Sequence, residues 1–290
     1  MHILIYRHIK LFLKNPFNIV LSFISSLVIL SLYFLFIRDF TIKAVSDYGF
    51  ISTYNDLFVD KLMTSGLIIV IGATSVLSIM FIFVKDNQVG IIKDFLVTPL
   101  NSYQIIYSYF FASFIISMII TLVIYLGIEL FFIYFYNYYN SFKIIISSIL
   151  IIICSNIISS LIILLIALFI NTFTSFSTFE TLYGVVIGFF TGVYIPIGYY
   201  PNLIRNIFFY FPLCQTTSIL RNIQTNRISL KILKNYPLNK HDILYEIFGI
   251  HLTLNNNSVN LINQIRLILI AIILLNLLII LVINLKKKNK

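Results

Sequence analysis

Charge is what this chain has least of. Only 10% of its 290 residues are charged, against 60% hydrophobic, and the mean hydropathy is +1.00. A soluble domain carries about 25% charged residues, so there are too few polar side chains to cover a water-facing surface, and the solvent must be lipid. Tryptophan is absent. The two cysteines, Cys154 and Cys214, give no disulfide framework and no redox spacing. The histidines, His2, His8, His241 and His251, form no cluster with ligand spacing, so no metal site is expected. No GxxxxGK[ST] phosphate loop occurs, which excludes nucleotide binding of that kind in this sequence. No convergent set of acids and histidines marks an intramembrane enzyme. A secondary transporter needs midplane carboxylates and usually internal repeats, and neither is found. The net charge of +10 sits in loops and tails between apolar runs, so the membrane reading precedes a nucleic-acid one.

What the chain does have is long apolar runs. A helix crossing the hydrocarbon core needs about 20 apolar residues. Six spans are expected, near Phe17–Ile37, Met63–Val84, Ile105–Gly127, Ile144–Phe169, Thr181–Ile197 and Leu267–Leu285. The first follows a long basic segment without a small-residue cleavage site, so it is expected to stay in the membrane. Lys and Arg in short loops set orientation. Arg7, Lys10, Lys14, Lys85, Lys93 and the Lys286–Lys288 run share one side, against Arg38, Lys43, Lys61 and Lys143 on the other. Both termini are therefore expected in the cytoplasm.

The segment 1–16 reads as an amphipathic elbow helix, with Arg7, Lys10 and Lys14 on one face toward lipid phosphates and Pro16 ending it. Gly90–Leu100 lies between two spans. Ile91, Ile92, Phe95 and Leu96 share one face of a two-turn helix, Lys93 and Asp94 the other, with Gly90 and Pro99 bracketing it. Farther on, Pro196, Pro201 and Pro212 each forbid an uninterrupted helix. Non-helical backbone at membrane depth is tolerated only where protein or a wet cavity covers it. Gly184, Gly188 and Gly192 make an every-fourth-residue row of the kind that lets helix backbones approach in lipid. Glu129 and Glu180 fall at span edges, where structural or interfacial roles are expected although an intramembrane acid is a functional candidate by default.

The stretch KDNQVGIIKDFLVTPLNSYQIIYSY resembles the loop after the second span of ABC type-2 exporter permeases. The matching residues are Asp86, Gly90, Lys93, Asp94, Phe95, Leu96, Thr98 and Pro99; where many members carry Arg and Glu before the glycine, this chain has Asn87 and Gln88. A second stretch, residues 188–223, is similar to that family's segment at the end of the fifth span, through Gly192, Pro196, Pro201, Pro212 and Arg221. The resemblance implies an all-α polytopic membrane protein: six transmembrane helices, an elbow, a cytoplasmic coupling loop (85–104), a re-entrant helical hairpin (192–223) capping the transport cavity, and an extracellular loop (224–266). It further implies a non-enzymatic permease subunit in a prokaryotic cell membrane. ATP and Mg would sit on a separate P-loop ATPase partner, and a second permease would complete the path as a homodimer or heterodimer. A hydrophobic or amphipathic cargo would be exported. The alternative is an immunity or resistance protein that binds without ATP-driven transport.

Overall fold

The computed structural model describes residues 1–14, 27–47, 54–233, 244–254 and 257–288. The described chain is nearly all helix. Helix α1 spans His2–Lys14. Residues 27–47 are helical, with a π-helical turn at Tyr33–Ile37 that leads into α2, Arg38–Asp47. Helices α3 (Asn55–Ser75) and α4 (Leu77–Val89) form one apolar stretch of 35 residues with a local break at Val76. Thr74 and Ser75 donate to the carbonyls of Val70 and Ile71 just before it, a back-bonding that loosens a helix. Then follow α5 (Ile91–Leu96), α6 (Ser102–Tyr136), α7 (Phe142–Ala167) and α8 (Phe173–Phe190). Helices α9 (Asn202–Tyr210) and α10 (Pro212–Leu233), a two-residue hairpin of β1 (Thr253–Leu254) and β2 (Asn257–Ser258), and α11 (Leu261–Lys288) complete it.

Four helices among the described residues are long and apolar enough to cross a membrane: α3 with α4, then α6, α7 and α11. They take in the expected second, third, fourth and sixth spans and extend beyond most of the limits set by hydropathy. The expected first span lies partly outside the described residues. The fifth is expected at Thr181–Ile197, but the helix runs Phe173–Phe190. Its 18 residues reach about 27 Å, and the chain then turns at Gly192 in the left-handed region, φ +64°.

Hydrogen bonds join the helices into a bundle with two distinct ends. At one end, Tyr107 of α6 donates to Asn276 of α11 at 3.2 Å, Tyr103 donates to Asn284, and Lys286 reaches the Leu168 carbonyl that follows α7. Gln88, at the end of α4, accepts from the backbone N–H of Phe173 at 2.7 Å and so fixes the start of α8. Helix α1 packs at this end. The other end carries the start of α3 and the end of α6.

The first part of the loop expected over 224–266 is helical instead, and residues 234–243 and 255–256 lie outside the described residues. Helix α10 continues through Leu233, and Gln224, Thr225, Ile228 and Ser229 are all buried. Its polarity hid it from a hydropathy reading. Its buried residues mix polar side chains, Gln215, Thr216, Thr217, Ser218, Arg221 and Gln224, with Leu213, Ile219, Leu220, Ile228 and Ile232, so they make no purely apolar stripe.

Candidate functional site

At the α1 end, the buried stripe of the elbow is Leu4, His8 and Phe12, at i, i+4 and i+8. Lys10 and Lys14 are exposed, but Arg7 turns inward. Its Nη1 lies 2.8 Å from Asp86 Oδ2, and Tyr109 donates to the same oxygen at 2.6 Å. The guanidinium also stands over the Phe95 ring, 5.0 Å from its centroid. One arginine therefore joins α1, α4 and α5. Burial works to lower the Arg7 pKa, but the hydrogen bond and charge of Asp86 raise it overall.

His8 completes the knot. Its ring stacks on Tyr109 at 3.7 Å. Nδ1 faces Arg7 Nη1 at 3.2 Å and must accept there, while Nε2 faces Ser108 Oγ at 3.0 Å. Ser108 spends its own proton on the Ile105 carbonyl, so Nε2 donates and the imidazole is the neutral Nε2–H tautomer. Burial, and then the positive charge of Arg7, push the His8 pKa down to about 4, with Asp86 opposing.

The expected coupling residues divide here. Asp86 is buried and held internally by Arg7 and Tyr109; its carboxylate is not on the surface where contact with a partner protein was expected. Gly90 takes φ +93°, a left-handed turn that a side chain disfavours, and so separates α4 from α5. Ile92 and Phe95 pack on the core, whereas Lys93, Asp94, Leu96, Thr98 and Pro99 are exposed, as is Val97 at 89%. Thr98 donates to the Phe95 carbonyl and closes the turn.

At the other end, the prolines start helices as much as they break them. Pro196 precedes the 3-10 turn Ile197–Tyr199, Pro201 precedes α9, and Pro212 is the first residue of α10, where its missing N–H has no intrahelical role. Helix α10 runs antiparallel to α3. Thr217 meets Gly66, Arg221 meets Leu62, Gln224 meets Lys61, and Lys231 lies over the Tyr54 ring. Leu62 and Gly66 lie about 10–16 Å along α3 from its start at Asn55, given 1.5 Å per residue, so the head of α10 is well inside the bundle.

Arg221 is fully buried and donates to three carbonyls: Gly192 at 2.9 Å, Phe248 at 3.1 Å and Leu62 at 3.4 Å. These belong to the turn after α8, the 244–254 segment and α3. Space for the guanidinium comes from glycine. A Cβ on Gly66 would stand 3.0 Å from Nη2, and a Cβ on Gly249 would stand 3.1 Å from Nη1. The 244–254 segment thus belongs with the turn it covers. Ser218 donates to the Ile250 carbonyl, Arg205 of α9 pairs with Glu246 at 2.6 Å, and Gly198 lies against the Ile247 backbone.

Sequence reading missed the polar centre beside this segment. Lys61, fully buried, pairs with Glu129 at 3.1 Å, donates to Gln224 at 3.2 Å and stands 3.9 Å from the Phe132 ring centroid. Asn140 donates to Glu129 and to Gln224, each at 2.9 Å. The adjacent Asp60 turns to a second cluster, accepting from Tyr33 at 2.7 Å, from Arg38 at 3.0 Å and from Tyr136. From the sequence Lys61 is expected in a loop because charges end the apolar run; α3 starts earlier and buries both charges against partners distant in sequence.

The glycine row does not act as one seam within this chain. Gly184 has open space beside it, Gly188 is pressed against the Tyr194 ring, and Gly192 lies beyond the helix in the turn. Only Gly188 and Gly192 are made necessary by close approach or backbone angle.

The ABC-2 type transporter family matches residues 1–225. That range takes in the elbow, the α5 turn and the head of α10 through Arg221. No match was found among curated proteins or among solved structures. The chain belongs to the ABC-2 type transporter family, a family of membrane transporter domains, and is a multi-pass membrane protein.

Proposed function

We propose that this chain is the permease subunit of an ABC exporter, driven by ATP hydrolysed on a separate ATPase, and that two permeases form the path. The observation that carries the reading is the α5 turn. It stands exposed between two apolar helices and is tied by Arg7 to the elbow, in a chain of the ABC-2 type transporter family. Gly90, Lys93, Asp94, Phe95, Leu96, Thr98 and Pro99 form the coupling surface, and Asp86 holds the elbow behind it. Movement of the ATPase pair would pass through α5 and Arg7 into α1, α4 and α6 together. ATP would supply the differential binding that any two-state shift requires.

The stretch from Gly192 to Arg221 is the re-entrant cap at the outer exit, and both termini are cytoplasmic. The ladder between α10 and α3 supports this reading, as does the placing of α1 and Lys286 at the same end of the bundle. The setting is a prokaryotic cell membrane. The open side of Gly184 fits contact with a second permease. The apolar outer faces of the helices suit a hydrophobic or amphipathic cargo.

Mild-detergent purification of the tagged chain, with mass spectrometry of what accompanies it, tests the reading. A stoichiometric P-loop ATPase, lost in Asp94→Lys and Phe95→Ala variants that still insert, is the expected result. A chain that keeps its dimer and brings down no ATPase would instead be an immunity protein that acts by binding.

A further inference from the structure

Helices α10 and α11 pack on each other beside the 244–254 segment, and together they enclose a cavity of about 310 Å³. At about 30 Å³ for each water it has the volume of about ten, and it falls within the size range of small-ligand sites. Leu261, at its rim, stands about 38 Å along α11 from Lys286, given 1.5 Å per residue. The cavity therefore lies at the end of the bundle opposite α1.

Two carboxamides line it. Gln264 is only 4% exposed and Asn222 is half-buried, and neither side chain has a hydrogen-bond partner among the described residues. Their neighbours explain their placement. Ser218, one turn before Asn222 on α10, donates to the Ile250 carbonyl at 2.8 Å, so this face of α10 lies against the cavity wall. Leu261 and the buried Ile268 share the Gln264 side of α11. The Asn260 carbonyl accepts from the N–H groups of Asn263 and Gln264 at 2.9 and 3.2 Å. Helix α11 thus begins at the cavity, and the N–H groups of Leu261 and Ile262 have no acceptor within the helix. Buried polar groups in folded proteins are hydrogen-bonded. Two amides without partners on one cavity mark a place where a ligand supplies them.

A carboxamide presents one carbonyl acceptor and two N–H donors, so its complement must both donate and accept. The apolar walls are Ile250, Val259 and Leu261, which suit an aliphatic side chain. No lysine, arginine or carboxylate lines the cavity among the described residues. Arg221, next to Asn222 in sequence, spends its guanidinium on three carbonyls. An ion entering here would lose its hydration without gaining a counter-charge. The one ring on the lining is that of His251, which leaves a sugar little to stack on. We propose that the cavity binds an uncharged short peptide, its backbone amide paired with Gln264 and Asn222 and an aliphatic side chain against Ile250, Val259 and Leu261. The proposal goes beyond the exporter reading and does not rest on it, because neither α5 nor an ATPase contributes to the site.

The test is saturation-transfer NMR of N-acetyl-leucinamide with the full chain in lipid nanodiscs, empty discs subtracted, with N-acetyl-leucine as the anion and glucose as the polyol. The amide is expected to bind saturably with a Kd of about 1 mM, as suits a molecule of its size. The anion should bind at least about tenfold more weakly, and glucose not at all. Gln264→Leu and Asn222→Leu should each weaken the amide by about five- to tenfold, with no fall in melting temperature, since neither side chain gives up a bond within the protein. A second measurement leaves both amides in place. In a chain with Cys154 and Cys214 changed to alanine, maleimide labelling of Val259→Cys should slow about tenfold at ten times the Kd. That arm decides the matter if either leucine variant fails to accumulate. A cavity that holds only water, giving no saturable binding and no protection, overturns the proposal. So does affinity unchanged in both leucine variants, or tighter binding of the anion or of glucose than of the amide. Failure to recover an ATPase partner would defeat the exporter reading and leave this binding intact.

Discussion

Arg7, at the α1 end, lies 2.8 Å from a carboxylate and keeps 29% of its side chain exposed. Arg221, at the head of α10, is fully buried, and its three acceptors are backbone carbonyls. Arg7 ties α1 to the adjoining α4 and α5, and Arg221 ties α10 to three segments distant in sequence, by different physics. The Arg7 joint is charge on charge at a partly wet site, so salt screens it and acid weakens it. The Arg221 joint uses acceptors that neither titrate nor mutate, and it fails only if the arginine goes. Under the proposed coupling, a joint that passes movement to a partner is better made releasable; one that holds a turn in place is better made of backbone.

Four changes would break or sharpen that contrast, taken here from the largest expected effect. Arg221→Met strands three buried carbonyls, each worth about 1–3 kcal/mol when left without a donor. The protein should melt far below wild type, or fail to accumulate, in fluorescence-detected size-exclusion assays. A wild-type melting curve would show that the arginine is not what holds the turn. Lys61→Met should destabilise by about 3–5 kcal/mol, because Glu129 is left charged and buried. Adding Glu129→Leu should restore most of the loss, and a double variant no better than the single would place the effect elsewhere.

Asp86→Asn should cost less, about 1–2 kcal/mol, because Arg7 is partly solvated. Its signature is local: a single cysteine in place of Phe12, on the buried stripe of α1, should label faster, while sites on α10 stay unchanged. Equal labelling would mean that packing rather than the ion pair holds the elbow. The smallest effect is a pH dependence of the same labelling. Undocked His8 binds a proton near 6.5, its ordinary value, and docked His8 only near about 4. Between these values the undocked state carries more protons, so acidification favours it. The imidazolium would also lose the acceptor that faces Arg7. Docking should be fully present above about pH 6.5 and weaken toward pH 4, and His8→Gln should flatten the profile. The Arg221 end should show no such window.

Much of the architecture was legible because lipid imposes it. An apolar run must be a helix there, since every backbone polar group has to be satisfied within the segment, and four such helices follow from hydropathy alone. The α5 turn was legible too, because Gly90, the Lys93–Asp94 pair and Pro99 announce a short amphipathic helix locally. Helix α10 was not. Its buried residues include Thr, Ser, Gln and Arg among Leu and Ile, and that mixed composition does not separate a helix buried in protein from a wet loop. Lys61, which the sequence places in a short loop just before the second expected span, and its neighbour Asp60 were hidden because their charges end the apolar run. Their burial depends on Glu129, Gln224, Arg38 and Tyr33, which no local window contains.

The sequence by itself determined the solvent, the apolar helices, the breaks at Gly90 and the prolines, and the family to which the chain belongs. Those properties are set by local composition and spacing. Only the tertiary structure decided which charges are partners. It turned Arg7 inward, placed Arg221 among carbonyls, paired four carboxylates and left Glu180 without a cation among the described residues. A charge can be buried only where another element supplies its counterpart, and which element that is depends on how the helices cross.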